Sequence, residues 1–445
     1  VSDNKFDNEI FKGKSILLVN PWIYDFAAYD MWAKPLGLLH IGSLLRACGC
    51  EISFIDCLQA GPSPRKPGGH GKFVRKTVEK PPALAFFPRN YSRYGIDPDE
   101  FDNRLKDIPR PDAVLVTSLM TYWYPGVIEV IRRIKKIYAG VPVLLGGIYA
   151  TLLPGHASKF SGSDIIIQGE GEAGVVETLC SMWNMQKPCL FETADLDTLP
   201  YPAFDLTASS YVCIQTSRGC PYRCTYCASK IMNKGFRRRD PVRVADEIGF
   251  WNSKGIRDFA FYDDALLFEP ELTAIPLMKE ILKRDIRVQF HCPNGLHANS
   301  ISEEVALLMK KSGFVTIRLG LETSDPALQF ATGSKVTNPE FVRAVNNLHK
   351  AGYAGSDIGV YVLCGMPGQG IRQVIDTVDF VKASGARPMI AEYSPIPGTA
   401  LWPEAVRTSS FPIESEPLFH NNSILACRWE NLTYEMYKEL KTEIK

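Results

Sequence analysis

The sequence predicts an α/β protein of two domains: a doubly wound parallel sheet, then a partial barrel of six strand–helix units with a small C-terminal helical cap. Three observations carry that prediction. Short apolar runs alternate with stretches of helical apolar spacing over most of the chain, as parallel sheets covered by helices require. The rhythm pauses between residues 190 and 210, where Pro200 and Pro202 stand among few periodic apolar residues and a linker is expected. A chain of 445 residues is long enough for two or three domains with ample core. The expected boundaries are 1–189, a linker over 190–210, then 211–402 and 403–445.

In the first domain, the apolar run from Ser15 to Asn20 stops at Pro21 and reads as a buried strand. Helical spacing follows from Pro35 to Arg46. Further strands are expected over 51–56, 113–117, 141–145 and 164–168, with a helix over 127–137. Ligands of such sheets bind beyond the carboxyl ends of the strands. Between Gly61 and Asp112 lies an insertion whose residues 62–94 hold eight Lys/Arg, one Glu and six Pro. Its expectation is a long surface loop, with a lid against an anionic ligand as the sharper reading. Tyr122, Trp123 and Tyr124 follow the third strand, either to stack on a flat ligand or to pack the core.

In the second domain, strands are expected over 212–216, 259–262, 288–291, 315–320, 358–364 and 390–393. Helices fill the gaps over 242–253, 270–283, 302–312, 339–351 and 372–383. Too little chain remains to close eight strands, and function belongs at the carboxyl ends of the six.

Composition removes several classes. The chain is 45% apolar and 22% charged, as ordinary globular proteins are. A net charge of +1 leaves no global footprint for nucleic acid. No run of about 18 apolar residues is present to span a membrane. Residues 1–14 lack the apolar core of a signal peptide. Twelve cysteines in this length are not a secreted disulfide framework, so a reducing cytoplasm is expected.

Three of those cysteines, Cys220, Cys224 and Cys227, share one short loop directly after the first barrel strand. Thiolates are the soft ligands of iron–sulfur clusters. Three of them leave one iron of a 4Fe–4S cube open for chemistry. A zinc site usually has a fourth Cys or His at recognisable spacing, and no such pair stands nearby.

The loop, with an aromatic residue before its last cysteine, resembles the signature of the radical S-adenosylmethionine (SAM) enzymes. That resemblance implies a partial (β/α)6 barrel and SAM chelated to the open iron. It assigns Tyr226 to the cluster loop beside SAM. It also assigns Asp263 or Asp264 to the SAM amino group, Arg318 and Glu322 to the ribose or carboxylate neighbourhood, and Gly365 and Pro367 to adenine. An ion pair between Glu322 and Arg318 is the structural alternative for those two. Arg237, Arg238 and Arg239 are read as holding the cluster loop or meeting substrate carboxylates. Cys292 is read as a buried inert thiol.

The first domain resembles the Rossmann-like cobalamin-binding fold. The fingerprint D-x-H-x-x-G, S-x-L, G-G maps onto Asp56 to Gly61, onto Thr117, Ser118 and Leu119, and onto Gly146 and Gly147. The acidic turn Gly169-Glu170-Gly171-Glu172 follows the fifth strand. Leu58 stands where the family's cobalt-ligating His would be, and leucine cannot donate to cobalt. Taken with the barrel, the resemblance is to cobalamin-dependent radical SAM methyltransferases and the anaerobic magnesium-protoporphyrin cyclase. It implies a 4Fe–4S cluster, SAM and cobalamin as cofactors, an electron donor such as flavodoxin or ferredoxin, and methyl transfer to an unactivated carbon through a 5′-deoxyadenosyl radical. Cyclisation or ring rearrangement without methyl transfer, a radical SAM enzyme that has lost cobalamin, and a cobalamin or redox sensor stay open beside it.

Overall fold

The computed structural model describes residues 9–58, 71–186 and 195–444 and divides into two compact units, with the change between Ser209 and Ser210. Gln59 to Gly61 of the fingerprint, Gly68 to His70 of the insertion, Cys189 and the first residues of the expected linker lie outside the described residues.

The first unit comprises β1 (Ser15–Asn20), β2 (Ile23–Asp25), β3 (Tyr29–Asp30), α1 (Leu36–Ala47), β4 (Glu51–Asp56), β5 (Gly71–Lys72), β6 (Arg75–Val78), β7 (Tyr91–Tyr94), α2 (Pro98–Asp107), β8 (Ala113–Val116), α3 (Tyr124–Ile137), β9 (Val143–Leu145), α4 (Ile148–Leu152), α5 (Pro154–Phe160), β10 (Ile165–Ile166) and α6 (Gly171–Met182). Its main sheet is parallel, in the order β10-β9-β8-β1-β4. Strand β1, an interior strand between β8 and β4, explains the double winding. Leu17 and Val19 join one core with Phe101 and Leu105 of α2 and Val127, Val130 and Ile134 of α3. Ile16 and Leu18 join the opposite core with Leu38, Leu44 and Leu45 of α1 and Val175 and Leu179 of α6. A strand covered on both faces has no polar alternation to show, which is why it reads as a continuous apolar run.

Two expectations for this unit change. The insertion read as a surface loop forms, in its described part, an antiparallel sheet in the order β2-β7-β6, with β3 paired to β5. Its charges hid the reason. Arg75 and Lys76 are exposed, while Phe73 and Tyr94 pack with Ile23, Ala28 and Leu58. The expected linker is also not free in its described part. Ala203 N donates to Leu39 O at 3.1 Å, Arg46 pairs with Asp205 at 2.9 Å, and Leu196 and Phe204 are buried. Residues 195–209 therefore belong to the first unit, because Leu196, Ala203 and Phe204 are non-periodic but still apolar.

The second unit comprises β11 (Tyr211–Ile214), β12 (Ser217–Arg218), α7 (Ser229–Met232), β13 (Arg237–Arg238), α8 (Pro241–Ser253), β14 (Asp258–Phe261), α9 (Ala274–Lys283), β15 (Gln289–His291), α10 (Glu303–Ser312), β16 (Phe314–Glu322), α11 (Pro326–Ala331), α12 (Asn338–Lys350), β17 (Ile358–Cys364), α13 (Ile371–Ala383), β18 (Arg387–Glu392), α14 (Trp402–Thr408) and α15 (Tyr434–Glu443). Its six-stranded sheet runs β11-β14-β15-β16-β17-β18, every neighbouring pair parallel. Strand order equals chain order, as barrel winding requires. The α9 helix begins at Ala274 rather than Pro270, because the residues before it are spent on turns at the end of β14. The C-terminal segment, expected as a small helical cap, packs beside the ends of β17 and β18. Tyr437 and Lys441 of α15 both bond Glu392 at the end of β18, and Ile371 N at the start of α13 donates to Asn431 O at 2.8 Å.

Candidate active site at the carboxyl ends of the barrel strands

The cysteine loop is held from below by Asp263, the residue that follows β14 by two positions. One of its oxygens accepts from Thr216 Oγ1 at 2.6 Å, Ser217 Oγ at 2.7 Å and Thr216 N at 2.9 Å. The carboxylate is 3% exposed, and burial pushes its pKa up to about 6 against those hydrogen bonds. The β12–β13 hairpin closes the loop's base, pairing Ser217 with Arg238 and Arg218 with Arg237. Arg239 N bonds Thr216 O, and its guanidinium pairs with buried Glu247 at 2.6 Å. Of the two readings of this arginine run, the structure supports a brace for the loop. Gly219 has φ +81, and a β-carbon there would stand 2.3 Å from Gly235 O, so only glycine fits the turn.

Above that base the three thiols open outward. Cys220 and Cys224 are half-buried and Cys227 is exposed. Burial pushes the Cys220 thiol up to about 11. It raises Cys227 as well, against the Ser229 N–H, which donates to Cys227 Sγ at 3.5 Å, and against the nearby Lys335 ammonium. Tyr226 is driven well above its ordinary value by burial, then by the Glu322 carboxylate and Cys224. Tyr222 stacks on His297 with centroids 4.4 Å apart and accepts a hydrogen bond from Asn299 at 3.1 Å. His297 is 3% exposed, its Nδ1 has no partner, and burial and then Lys335 pull its pKa down to about 3.

The paired aspartates divide their labour. Asp263 faces the loop's base, whereas Asp264 lies exposed beside Ser229 and Asn233, both of which donate to its Oδ2. The protein crowding it raises its pKa. Glu322 does not pair with Arg318. It pairs with Lys335 at 2.7 Å, because a bulge in β16 between Gly320 and Glu322 turns the carboxylate off the line of the strand. Arg318 is 8% exposed lower in the same strand, donates to Ile317 O, and lies against Gly359. Gly365 and Pro367 are buried in a turn after β17, where Gln369 Oε1 accepts the Gly365 N–H at 2.9 Å. Cys292 is 1% exposed, as expected. Lys335 was not legible as a site residue, since nothing in its local sequence distinguishes it from a surface lysine.

In the first unit the fingerprint residues also converge on strand ends. Ser118 is 1% exposed, and its hydroxyl donates to Gly146 O at 2.6 Å. Gly147 has φ +94, and a β-carbon there would stand 2.3 Å from Ser118 O. Ser118 thus braces the glycine turn, while Thr117, Leu119, Gly146 and Gly147 remain half-buried at the rim. Leu58 is 7% exposed and packs in the apolar cluster of the antiparallel sheet. The aromatic triplet is packing: Tyr122 is buried, Trp123 Nε1 donates to Asp25 at 2.7 Å, and Tyr124 stacks on Tyr149. The acidic turn opens α6, with Glu172 buried at its first turn.

Comparison with known proteins bears on both units. A model of the radical SAM superfamily matches residues 214–381, and a model of the B12 binding domain matches residues 90–179. The chain is a cobalamin-binding radical SAM enzyme. The enzyme is 24% identical over 355 residues to an uncharacterized methyltransferase of Pyrococcus horikoshii, covering 73% of this chain and 72% of that one. It is 22% identical over 462 residues to the cytidylyl-2-hydroxyethylphosphonate methyltransferase of Streptomyces wedmorensis, covering 88% and 82%. It is 22% identical over 280 residues to the anaerobic magnesium-protoporphyrin IX monomethyl ester cyclase of Rubrivivax gelatinosus, covering 55% and 49%. Among solved structures, the radical SAM methyltransferase TsrM from Kitasatospora setae shares the fold with a TM-score of 0.65 at 19% identity, over 89% of this chain and 76% of that one.

A 4Fe–4S cluster, SAM and cobalamin are therefore this enzyme's cofactors. The residues present fit them. Among the described residues no three His, Cys, Asp or Glu side chains converge on one ion position. A cube instead takes each thiolate at a different iron, and the loop supplies three soft donors with an N–H aimed at one sulfur. The bare backbone at Gly146 and Gly147 suits close approach by a nucleotide tail. Leu58 offers no lone pair, so position 58 fits a corrinoid whose metal takes no protein ligand from there.

Proposed function

We propose that this enzyme is a cobalamin-dependent C-methyltransferase that methylates an unactivated carbon. The observation that carries the reading is a three-thiol loop, braced by Asp263 at a barrel mouth, in one chain with a B12 binding domain. Two relatives named as methyltransferases support it. When bound, the cofactors supply hydrogen abstraction by a radical and a methyl group to transfer. The chain's residues do the positioning. Cys220, Cys224 and Cys227 hold the cluster, and Asp263 keeps their loop in place. Asp264, with an open carboxylate, takes the SAM amino group. Tyr226, Arg318 and Glu322 border SAM, and the turn of Gly365 and Pro367 meets adenine. Thr117, Ser118, Leu119, Gly146 and Gly147 shape the corrinoid cradle. The reductant is a flavodoxin- or ferredoxin-type protein, and the setting is cytoplasmic. Among the described residues no helix is long and apolar enough to cross a membrane.

The test is anaerobic reconstitution, then reductive SAM cleavage with and without hydroxocobalamin. Methylated product together with S-adenosylhomocysteine is expected. Deoxyadenosine with neither favours cyclisation or rearrangement, the reading that the cyclase relative supports. Absence of a corrinoid band after reconstitution overturns the cobalamin role.

A further inference from the structure

A buried ion pair stands in the barrel mouth beside the cysteine loop. The segment after α11 turns back onto that loop: Thr225 N donates to Thr332 O at 3.2 Å. Gly333, φ +113, lies so close that a β-carbon there would stand 3.1 Å from Cys224 Cα and 2.8 Å from Arg223 O. Two residues on, Lys335 enters the mouth. Its Nζ sits 2.7 Å from Glu322 Oε1, the two side chains 13% and 14% exposed. Glu322 reaches it from a left-handed backbone, φ +68. A β-carbon at Gly320 would stand 2.7 Å from Lys335 Nζ and 2.9 Å from Glu322 Oε1, so the pair fills the space a side chain would need.

This arrangement is expensive as mere scaffolding. A left-handed backbone at a non-glycine residue is strained, and a buried ion pair returns little net stability once desolvation is counted. Strain of this kind collects where a site needs a group held still. The Glu322 carboxylate, 2.7 Å from Lys335 Nζ, favours the ammonium form of the lysine.

We propose that Lys335, aimed by Glu322 and latched to the cysteine loop through Thr332 and Gly333, is the counter-charge that sets the reduction potential of the cluster. A fixed cation beside Cys224 and Cys227 favours the state with one more electron, by Coulomb attraction in a poorly solvated site. That electron comes from an external one-electron reductant. No bond forms or breaks at Lys335, and its proton stays in place. Lys335 is a positioning residue, and the proposal rests on the reading that Cys220, Cys224 and Cys227 hold the cluster.

The experiment is an EPR-monitored redox titration of the full reconstituted chain without SAM, with iron and sulfide measured for each variant. In Lys335→Met, at the potential where the parent is half reduced, the reduced-to-oxidised ratio falls about tenfold, equivalent to about 59 mV for one electron. Lys335→Arg keeps the parent value. Glu322→Gln removes the anion but not the cation and moves the ratio the opposite way, so a fold-damaged methionine variant does not end the test. Equal potentials in the parent and Lys335→Met at full iron content, or shifts of one sign in Lys335→Met and Glu322→Gln, overturn the proposal. A parent chain that takes up no cluster, or a chain with all three cysteines changed to Ala that still does, overturns the cluster reading as well.

Discussion

At the scale of single residues, the carboxylate that matters most to the site is a buried one turned onto the base of the cysteine loop. Asp263 accepts from Thr216 and Ser217, so this neighbour of Asp264 braces the loop's base. Its raised pKa makes a stability prediction. The folded state holds the proton up to about pH 6, whereas the unfolded carboxyl loses it near about pH 4. Folded protein thus binds more protons between those values, and stability falls as pH rises from about 4 to 6, by roughly 3 kcal/mol at most. Asp263→Asn removes that slope, as denaturant unfolding of the second unit at several pH values checks; an unchanged slope refutes the assignment. The three cysteines make a simpler prediction. Changing any one to Ala lowers bound iron after reconstitution severalfold, whereas Cys292→Ala, a fully buried thiol, leaves iron content unchanged.

At the scale of elements, turns decide more than strands do. The glycine turn after β9 is tied to the end of β8 by Ser118, which donates to Gly146 O and receives Ile148 N on its own carbonyl. Gly147→Ala forces a β-carbon to within 2.3 Å of Ser118 O at φ +94. Corrinoid binding, followed by the absorption band of added hydroxocobalamin, is expected to weaken at least tenfold, with the far-ultraviolet circular dichroism retained. Ser118→Ala loses the brace and costs the first unit about 1 kcal/mol, read by chemical denaturation. These elements were readable to different degrees. Uniformly apolar strands such as β1 and β8 announce themselves, because both faces are covered. The β6–β7 pair did not, because exposed Arg75 and Lys76 interrupt the apolar pattern of the buried Phe73, Tyr91 and Tyr94 that anchor it. Strand ends shifted by a few residues where a bulge, as in β16, or a following turn takes up the chain.

At the scale of the whole molecule, the two units pack as separate cores. A first-unit fragment ending after Ser209 keeps the contacts of Ala203 with Leu39 and of Asp205 with Arg46. It is expected to fold alone and to bind hydroxocobalamin. A fragment ending at Gln186 uncovers α1 and melts several degrees lower, by differential scanning calorimetry. Equal melting of the two fragments refutes the docked reading of residues 195–209.

Local pattern by itself determined the order of the parallel strands and the longer helices between them, the three-cysteine loop and the glycine turn of the first unit, because these are features of neighbouring residues with one required spacing. The role of Asp263, the partner of Glu322 and the place of Lys335 were decided only by the tertiary structure. Thr216 and Asp263 are 47 positions apart and meet because β11 and β14 are parallel neighbours. Glu322 and Lys335 meet because a bulge and a returning helix bring them into one poorly solvated corner. No periodicity in the chain encodes a contact of that kind, since it depends on where two separate elements end in space.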